Sequence, residues 1–201
     1  MNMNNLITVA GEIISEPETE NLLDGKEYLK FYLEIKRKSG ISDFVPCLVE
    51  KDKAENIKIG NKIKGIGTIK SQTIIKHMVT RVFIETITEY EGTDYNNVLI
   101  NGFICVKNSP RETALSKRVI SDIILASNRS NEEESDYIPA ILWSNTALNI
   151  DKCGIGSELL LHGKFQSREY YKIHEDGTIE ARTAYEVSAS NVDIIVKNKG
   201  D

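Results

Sequence analysis

The chain has 201 residues, 40% of them hydrophobic and 27% charged, which suits one large or two small packed domains and excludes wholesale disorder. The formal net charge is −5, so bulk attraction to phosphate is excluded, although a local basic groove on an acidic protein can still follow a nucleic-acid strand. No apolar run approaches the roughly 20 residues that span a bilayer, no basic and then apolar leader opens the chain, and Cys47, Cys105 and Cys153 form no CxxC pair, so a cytoplasmic protein with buried, reduced thiols and no membrane partner is expected.

In chain order, residues 6–14 form a β-branched run. Residues 29–36 alternate, with Leu29, Phe31, Leu33 and Ile35 on one face. A short apolar run at 45–49 precedes a helical candidate at 51–57. Residues 63–69 follow a glycine turn and carry Gly67 inside the strand. Such a glycine marks the bend that a small closed barrel needs at its corners. Residues 80–88 supply a last strand, and the polar Glu89-Tyr-Glu-Gly-Thr-Asp-Tyr-Asn-Asn97 reads as a linker. The boundary falls near Gly92 to Asp94, giving domains 1–92 and 93–201. Beyond it come apolar runs at 138–143, 159–165 and 184–196, with a second helical candidate at 144–151.

The two halves resemble each other. Asn5-Leu-Ile-Thr-Val-Ala-Gly11 lies over Asn96-Asn-Val-Leu-Ile-Asn-Gly102, and Phe31-Tyr-Leu-Glu-Ile-Lys-Arg37 over Ile123-Ile-Leu-Ala-Ser-Asn-Arg129. Asp43-Phe-Val-Pro-Cys-Leu-Val49 lies over Asp136-Tyr-Ile-Pro-Ala-Ile-Leu142. The Gly60 to Ser71 stretch lies over Gly156 to Ser167. Four matches in one order argue for duplication. Five strands with a short helix after the third is the oligonucleotide-binding (OB) arrangement, so the expected fold class is all-β: two tandem five-stranded OB-fold barrels.

The second copy resembles the bacterial single-stranded-DNA-binding protein family. The resemblance runs from Asn97 to Ile195 and rests on ordered motifs: Leu99-Ile-Asn-Gly102, Asn108-Ser-Pro-Arg-Glu-Thr, Ile124-Leu-Ala-Ser-Asn-Arg129, Asp136-Tyr-Ile-Pro-Ala-Ile-Leu-Trp143, the Gly156 to Tyr170 stretch, and Arg182-Thr-Ala-Tyr-Glu-Val187. It extends to the primosomal replication protein PriB, which has the same fold. It implies an OB fold, oligomerisation and sequence-tolerant binding of single-stranded DNA, with stacking aromatics at Tyr137, Trp143 and Tyr170. Four OB folds per functional unit are typical of that family, so a homodimer of this two-copy chain is expected.

The residues argue the same way. A single strand needs aromatic faces for its bases and cations for its phosphates. Tyr137 and Trp143 are six residues apart on one expected strand, which puts both on one face. Tyr170 and Tyr171 follow Arg168 at the foot of a polar hairpin at 172–178; one of them should face inward, and Tyr170 is the better candidate for DNA. Arg111, Lys117, Arg118, Arg129, Lys164, Arg168 and Arg182 lie on or beside the matching strands as candidate phosphate contacts. Packing is the alternative role for Trp143, and the expected role for Tyr185; Lys117 and Arg118 equally suit a solvated turn.

The first copy keeps less of this chemistry. Phe44 stands at the place of Tyr137, but Glu50 takes the place of Trp143 and Ile74 that of Tyr170. It holds two arginines, Arg37 and Arg81, against five in the second copy, and arginine forks onto phosphate better than lysine. It reads as a scaffold, with Phe44 as its surviving aromatic and Lys36-Arg37-Lys38, Lys70 and Lys76 left as a possible extension of a phosphate track. Catalysis finds no support: His77, His162 and His174 are far apart, and HExxH, GxxxxGK[ST] and GxSxG are all missing from the sequence. No cofactor or metal is expected. The chain ends in Val196-Lys-Asn-Lys-Gly-Asp201, without the acidic recruiting tip usual in the resembled family, which points to a specialised or accessory role.

Overall fold

The computed structural model describes residues 4–22, 24–55, 57–74, 77–113, 116–129, 134–174 and 176–195. The strands, in chain order, are β1 (Asn5–Ile13), β2 (Glu18–Asn21), β3 (Glu27–Lys36), β4 (Ser42–Glu50), β5 (Lys62–Ile74), β6 (His77–Glu89), β7 (Tyr95–Lys107), β8 (Arg111–Glu112), β9 (Val119–Asn128), β10 (Ser135–Trp143), β11 (Glu158–Ile173) and β12 (Ile179–Ile195). Helix α1 (Asn145–Asp151) lies between β10 and β11.

Strand pairing closes two circuits. β1 pairs with β3 and β5, β3 with β4, β5 with β6, and β4 with β6 in parallel. β7, β9, β10, β11 and β12 repeat the pattern, with β10 and β12 as the parallel pair. The fold is all-β, of the OB type. Period-two alternation supplies the interiors: Phe31, Leu33 and Ile35 in one circuit, Ile138, Ala140 and Leu142 in the other, all nearly or wholly buried.

Both circuits turn their corners on a glycine. The ladder slips a register at Ile66/Gly67 and at His162/Gly163. A Cβ on Gly67 would stand 1.9 Å from the Phe83 carbonyl oxygen, and one on Gly163 2.5 Å from that of Ser188. Only glycine lets the bent strand come that close to its neighbour.

The circuits share one apolar core because β1 and β7 pair antiparallel, with Ile7 opposite Val98. Each circuit also sends its last hairpin across the other, and the same contact is made twice. The Ser71 N–H donates to Asp136 Oδ1 at 2.9 Å, and the Tyr137 N–H donates back to Ser71 Oγ at 2.7 Å. The Ser167 N–H donates to Asp43 Oδ1 at 3.1 Å, and the Phe44 N–H to Ser167 Oγ at 2.9 Å.

Three expectations need correction. The helix expected over 51–57 is a single 3-10 turn at Lys51–Lys53, in which no residue is buried; Ala54 and Ile57 reach the core from beyond the turn. α1, by contrast, buries Ala147 and Ile150. Strands β2 and β8 were not foreseen. Of the cysteines only Cys47 is buried; Cys105, next to the inward Ile104, and Cys153 are half-buried, and all three are free thiols. Lys76 and 196–201 lie outside the described residues.

Candidate nucleic-acid interface

The outward face of the C-terminal circuit follows from its ladder. Phe165 and Val187 face each other inside, so the outward pairs are Lys164 with Ser188, Gln166 with Glu186, Arg168 with Ala184 and Tyr170 with Arg182. On β10 the inward positions are Ile138, Ala140 and Leu142, which turns Tyr137, Ile141 and Trp143 outward. Ile141 is the parallel neighbour of Ser188, and Trp143 Nε1–H donates to Ser188 Oγ at 3.0 Å. Trp143, Lys164, Arg168, Tyr170 and Arg182 therefore lie along one outward surface, with an aromatic toward each end, cations between and beside them, and the Gln166–Glu186 rung between Lys164 and Arg168.

The cations on this surface are held in place. The Arg168 guanidinium lies 5.9 Å from the Tyr170 ring centroid, and its Nε donates to Glu186 Oε1 at 3.0 Å. That hydrogen bond keeps the guanidinium even more firmly protonated than usual. Arg182 reaches Glu180 at 2.9 Å, and Glu180 also meets His174 Nε2 at 2.8 Å. Glu180 is held down to about 2, first by its hydrogen bond with Arg182 and then by that with His174.

The expectation that Tyr170 or Tyr171 faces the core does not hold. β11 and β12 continue past the barrel as a two-stranded arm, so both sides meet solvent, and Tyr171 is 72% exposed against 37% for Tyr170. Tyr171 shares its side of the arm with the exposed Ile173 and Ile179. Tyr185 packs as expected, stacked on Phe165 with centroids 6.2 Å apart.

The remaining candidates are dispersed. Arg129 bridges Asp136 at 2.8 Å and Glu134 at 2.7 Å, and Arg37 pairs with Asp43. Both aspartates are almost wholly buried at the hairpin crossings, so these two arginines also hold the crossings together. Arg111 pairs with Asp122 at 2.7 Å. Lys117, with φ of 53°, and Arg118 are exposed between β8 and β9. Phe44 and Tyr137 are 44% and 47% exposed at matching places on β4 and β10. Sequence reasoning missed Asp43, Asp136, Ser71 and Ser167 as partners, although the shared Asp-aromatic step of the two blocks carried the signal.

The matching face of the N-terminal circuit is filled. Tyr28, Leu48 and Phe83 form a second buried cluster with Leu22 against it, and the Tyr28 and Phe83 rings meet edge to face at 5.6 Å. Strand β2 closes over it. Arg81, only 5% exposed, donates to both Glu20 oxygens at 2.7 and 2.8 Å and also bonds Gln72. Lys70 Nζ sits 4.8 Å over the Phe83 ring. The two faces carry opposite charges at matching ladder positions. Glu20 lies opposite Tyr28 as Arg111 lies opposite Ile120, and Arg81 takes the β6 place that Glu186 takes on β12.

Among the described residues no cluster of three His, Cys, Asp or Glu could hold a metal ion, and no helix is long and apolar enough to cross a membrane. No protein-family profile and no characterised relative matches the chain. Its fold is similar to that of the wild-type single-stranded DNA binding protein from Thermus aquaticus, at 17% identity over 98% of this chain and 95% of that one, with a TM-score of 0.75. A deletion mutant of the same protein gives 17% identity, 98% and 96% coverage and a TM-score of 0.76. The N-terminal domain of the PriB protein from Thermoanaerobacter tencongensis is 25% identical over 44% of this chain and 99% of that one; its TM-score of 0.40 is too low to weigh.

Proposed function

We propose that the chain binds single-stranded DNA without sequence preference, on the outward face of its C-terminal circuit, in replication, recombination or repair. The observation that carries this reading is the outward surface from Trp143 through Lys164 and Arg168 to Tyr170 and Arg182. Aromatic faces accept any base, and interleaved cations follow the phosphates. The likeness to a single-stranded DNA binding protein supports it from the side of the fold.

In this reading the chain is a duplicated OB module with divided labour: residues 93–201 bind DNA, and residues 1–92 serve as scaffold. Two chains associate to bring four OB folds together. Support for the dimer comes from the outward side of β5, β1, β7 and β11, where Ile66, Leu6, Leu99 and Leu160 alternate out of the core and stay half-buried. Light scattering at micromolar concentration should give twice the chain mass; a monomer would contradict the dimer.

A second reading, an OB-fold protein-interaction module with weak or no DNA binding, is favoured by one observation. Arg111, Arg129, Arg168 and Arg182 are each already paired with a carboxylate. Titration of labelled oligo-dT and an equal duplex at several salt concentrations separates the two. The DNA reading requires preference for the single strand. If Lys164, Arg168 and Arg182 each meet one phosphate, the slope of log K against log salt should be about −2. No binding at low salt would leave the interaction module standing.

A further inference from the structure

Where the hairpin of β5 and β6 crosses β10 there is an open groove of about 500 Å³. Its walls come from both circuits: Ser71, Gln72 and Met78 on one side, Arg129, Ser135 and Tyr137 on the other. We infer that this groove is a nucleotide subsite assembled jointly by the two circuits, which takes one base of a single strand between Tyr137 and Met78. The inference rests on the single-strand reading above and adds to it a working role for the N-terminal circuit.

The groove has the size of a small-ligand site, with a mostly polar lining around two apolar side chains. Tyr137 and Met78 are 47% and 43% exposed, and they are the two large apolar side chains among its lining residues. An aromatic ring and a polarisable thioether suit the flat faces of a base. The Gln72 amide and the Ser71 and Ser135 hydroxyls suit its polar edge. The walls are also fixed relative to each other. Ser71 and Tyr137 are tied by the 2.7 Å bond from the Tyr137 N–H, and Asp136 holds both the Ser71 N–H and Arg129. Gln72 is held by Arg81. Glu134 also lines the groove, with its side chain 71% exposed and on Arg129. A phosphate can take over that exposed contact while Asp136 keeps the guanidinium in place.

The matching crossing on the other side of the molecule is built differently. There Phe44 meets the Ser167 hairpin, but the ladder puts Glu169 and Thr183 where Thr73 and Met78 stand. A carboxylate replaces a hydroxyl, and the thioether is gone. The joint site is therefore assigned to the Tyr137 crossing.

Full-length protein photocrosslinked to oligo-dT carrying 5-iodouracil, then digested and mapped by mass spectrometry, tests this directly. Crosslinks to the peptide that holds Met78 as well as to the one that holds Tyr137 are expected. Met78→Glu should weaken oligo-dT binding about tenfold, read from Trp143 fluorescence, while Met78→Leu stays within about twofold of the parent. Intact binding with crosslinks confined to the C-terminal circuit would overturn the joint site and leave the DNA reading standing. Failure of the unsubstituted protein to bind oligo-dT would overturn both.

Discussion

Tyr170 and Glu180 show what single side chains contribute. Tyr170 lies on the outward face of the arm beneath the Arg168 guanidinium, and base stacking on an aromatic is worth about 1–3 kcal/mol. Tyr170→Ala should therefore weaken oligo-dT binding by about 5- to 150-fold with unchanged thermal stability. Glu180 shows how the arm's tip responds to pH. Hydrogen bonds from Arg182 and then His174 hold its carboxyl down from the ordinary 4.5 to about 2. Its contribution to the folded arm is complete above pH 4.5, falls as the unfolded chain takes up the proton, and is gone once pH drops through about 2. The carboxyl carbon of Glu180, followed by NMR, should titrate near 2; a midpoint near 4.5 would mean that the network does not form. Even spacing in the sequence placed Tyr137 and Trp143 on one face. It could not show that Arg168 meets Glu186, because that partnership exists only through the ladder of β11 and β12.

At the scale of elements, two glycines and one short strand decide how the barrels close and what they expose. Gly67→Ala puts a methyl against the Phe83 carbonyl and should destabilise the protein by about 3 kcal/mol, read from denaturant unfolding. These glycine bends were legible in the sequence because each glycine interrupts an apolar run. Strand β2 was not legible. Glu-Thr-Glu-Asn has no apolar alternation, and its anchor, Arg81, lies far along the chain. Glu20→Ala leaves the buried Arg81 with Gln72 but no carboxylate, and should cost about 3 kcal/mol. Replacing Glu20 and Arg81 together by apolar residues should cost much less. If the double replacement were as damaging as the single one, the account of how that face is sealed would fail.

At the scale of the whole molecule, the circuits are one folding unit with two unlike faces. The β1–β7 pairing, the shared core and the crossed hairpins tie them together, so calorimetry should record a single unfolding transition with equal calorimetric and van't Hoff enthalpies. Two separated transitions would contradict this. The repeat blocks made two similar units legible. They also marked the faces as unlike, through Glu50 at the place of Trp143 and the smaller number of arginines, but did not show that Tyr28, Leu48 and Phe83 fill the N-terminal face, which depends on the unforeseen strand β2. The central claim is that DNA binds the open face of the C-terminal circuit and not the filled face of the N-terminal one. Oligo-dT titration followed by Trp143 fluorescence, run in parallel on Arg168→Glu and Lys70→Glu, tests it most directly. These variants make the same charge change, one on each face. The account expects quenching in the parent, a loss of at least about tenfold for Arg168→Glu, and a change within about twofold for Lys70→Glu. Equal losses for the two variants, or no quenching in the parent at low salt, would contradict it.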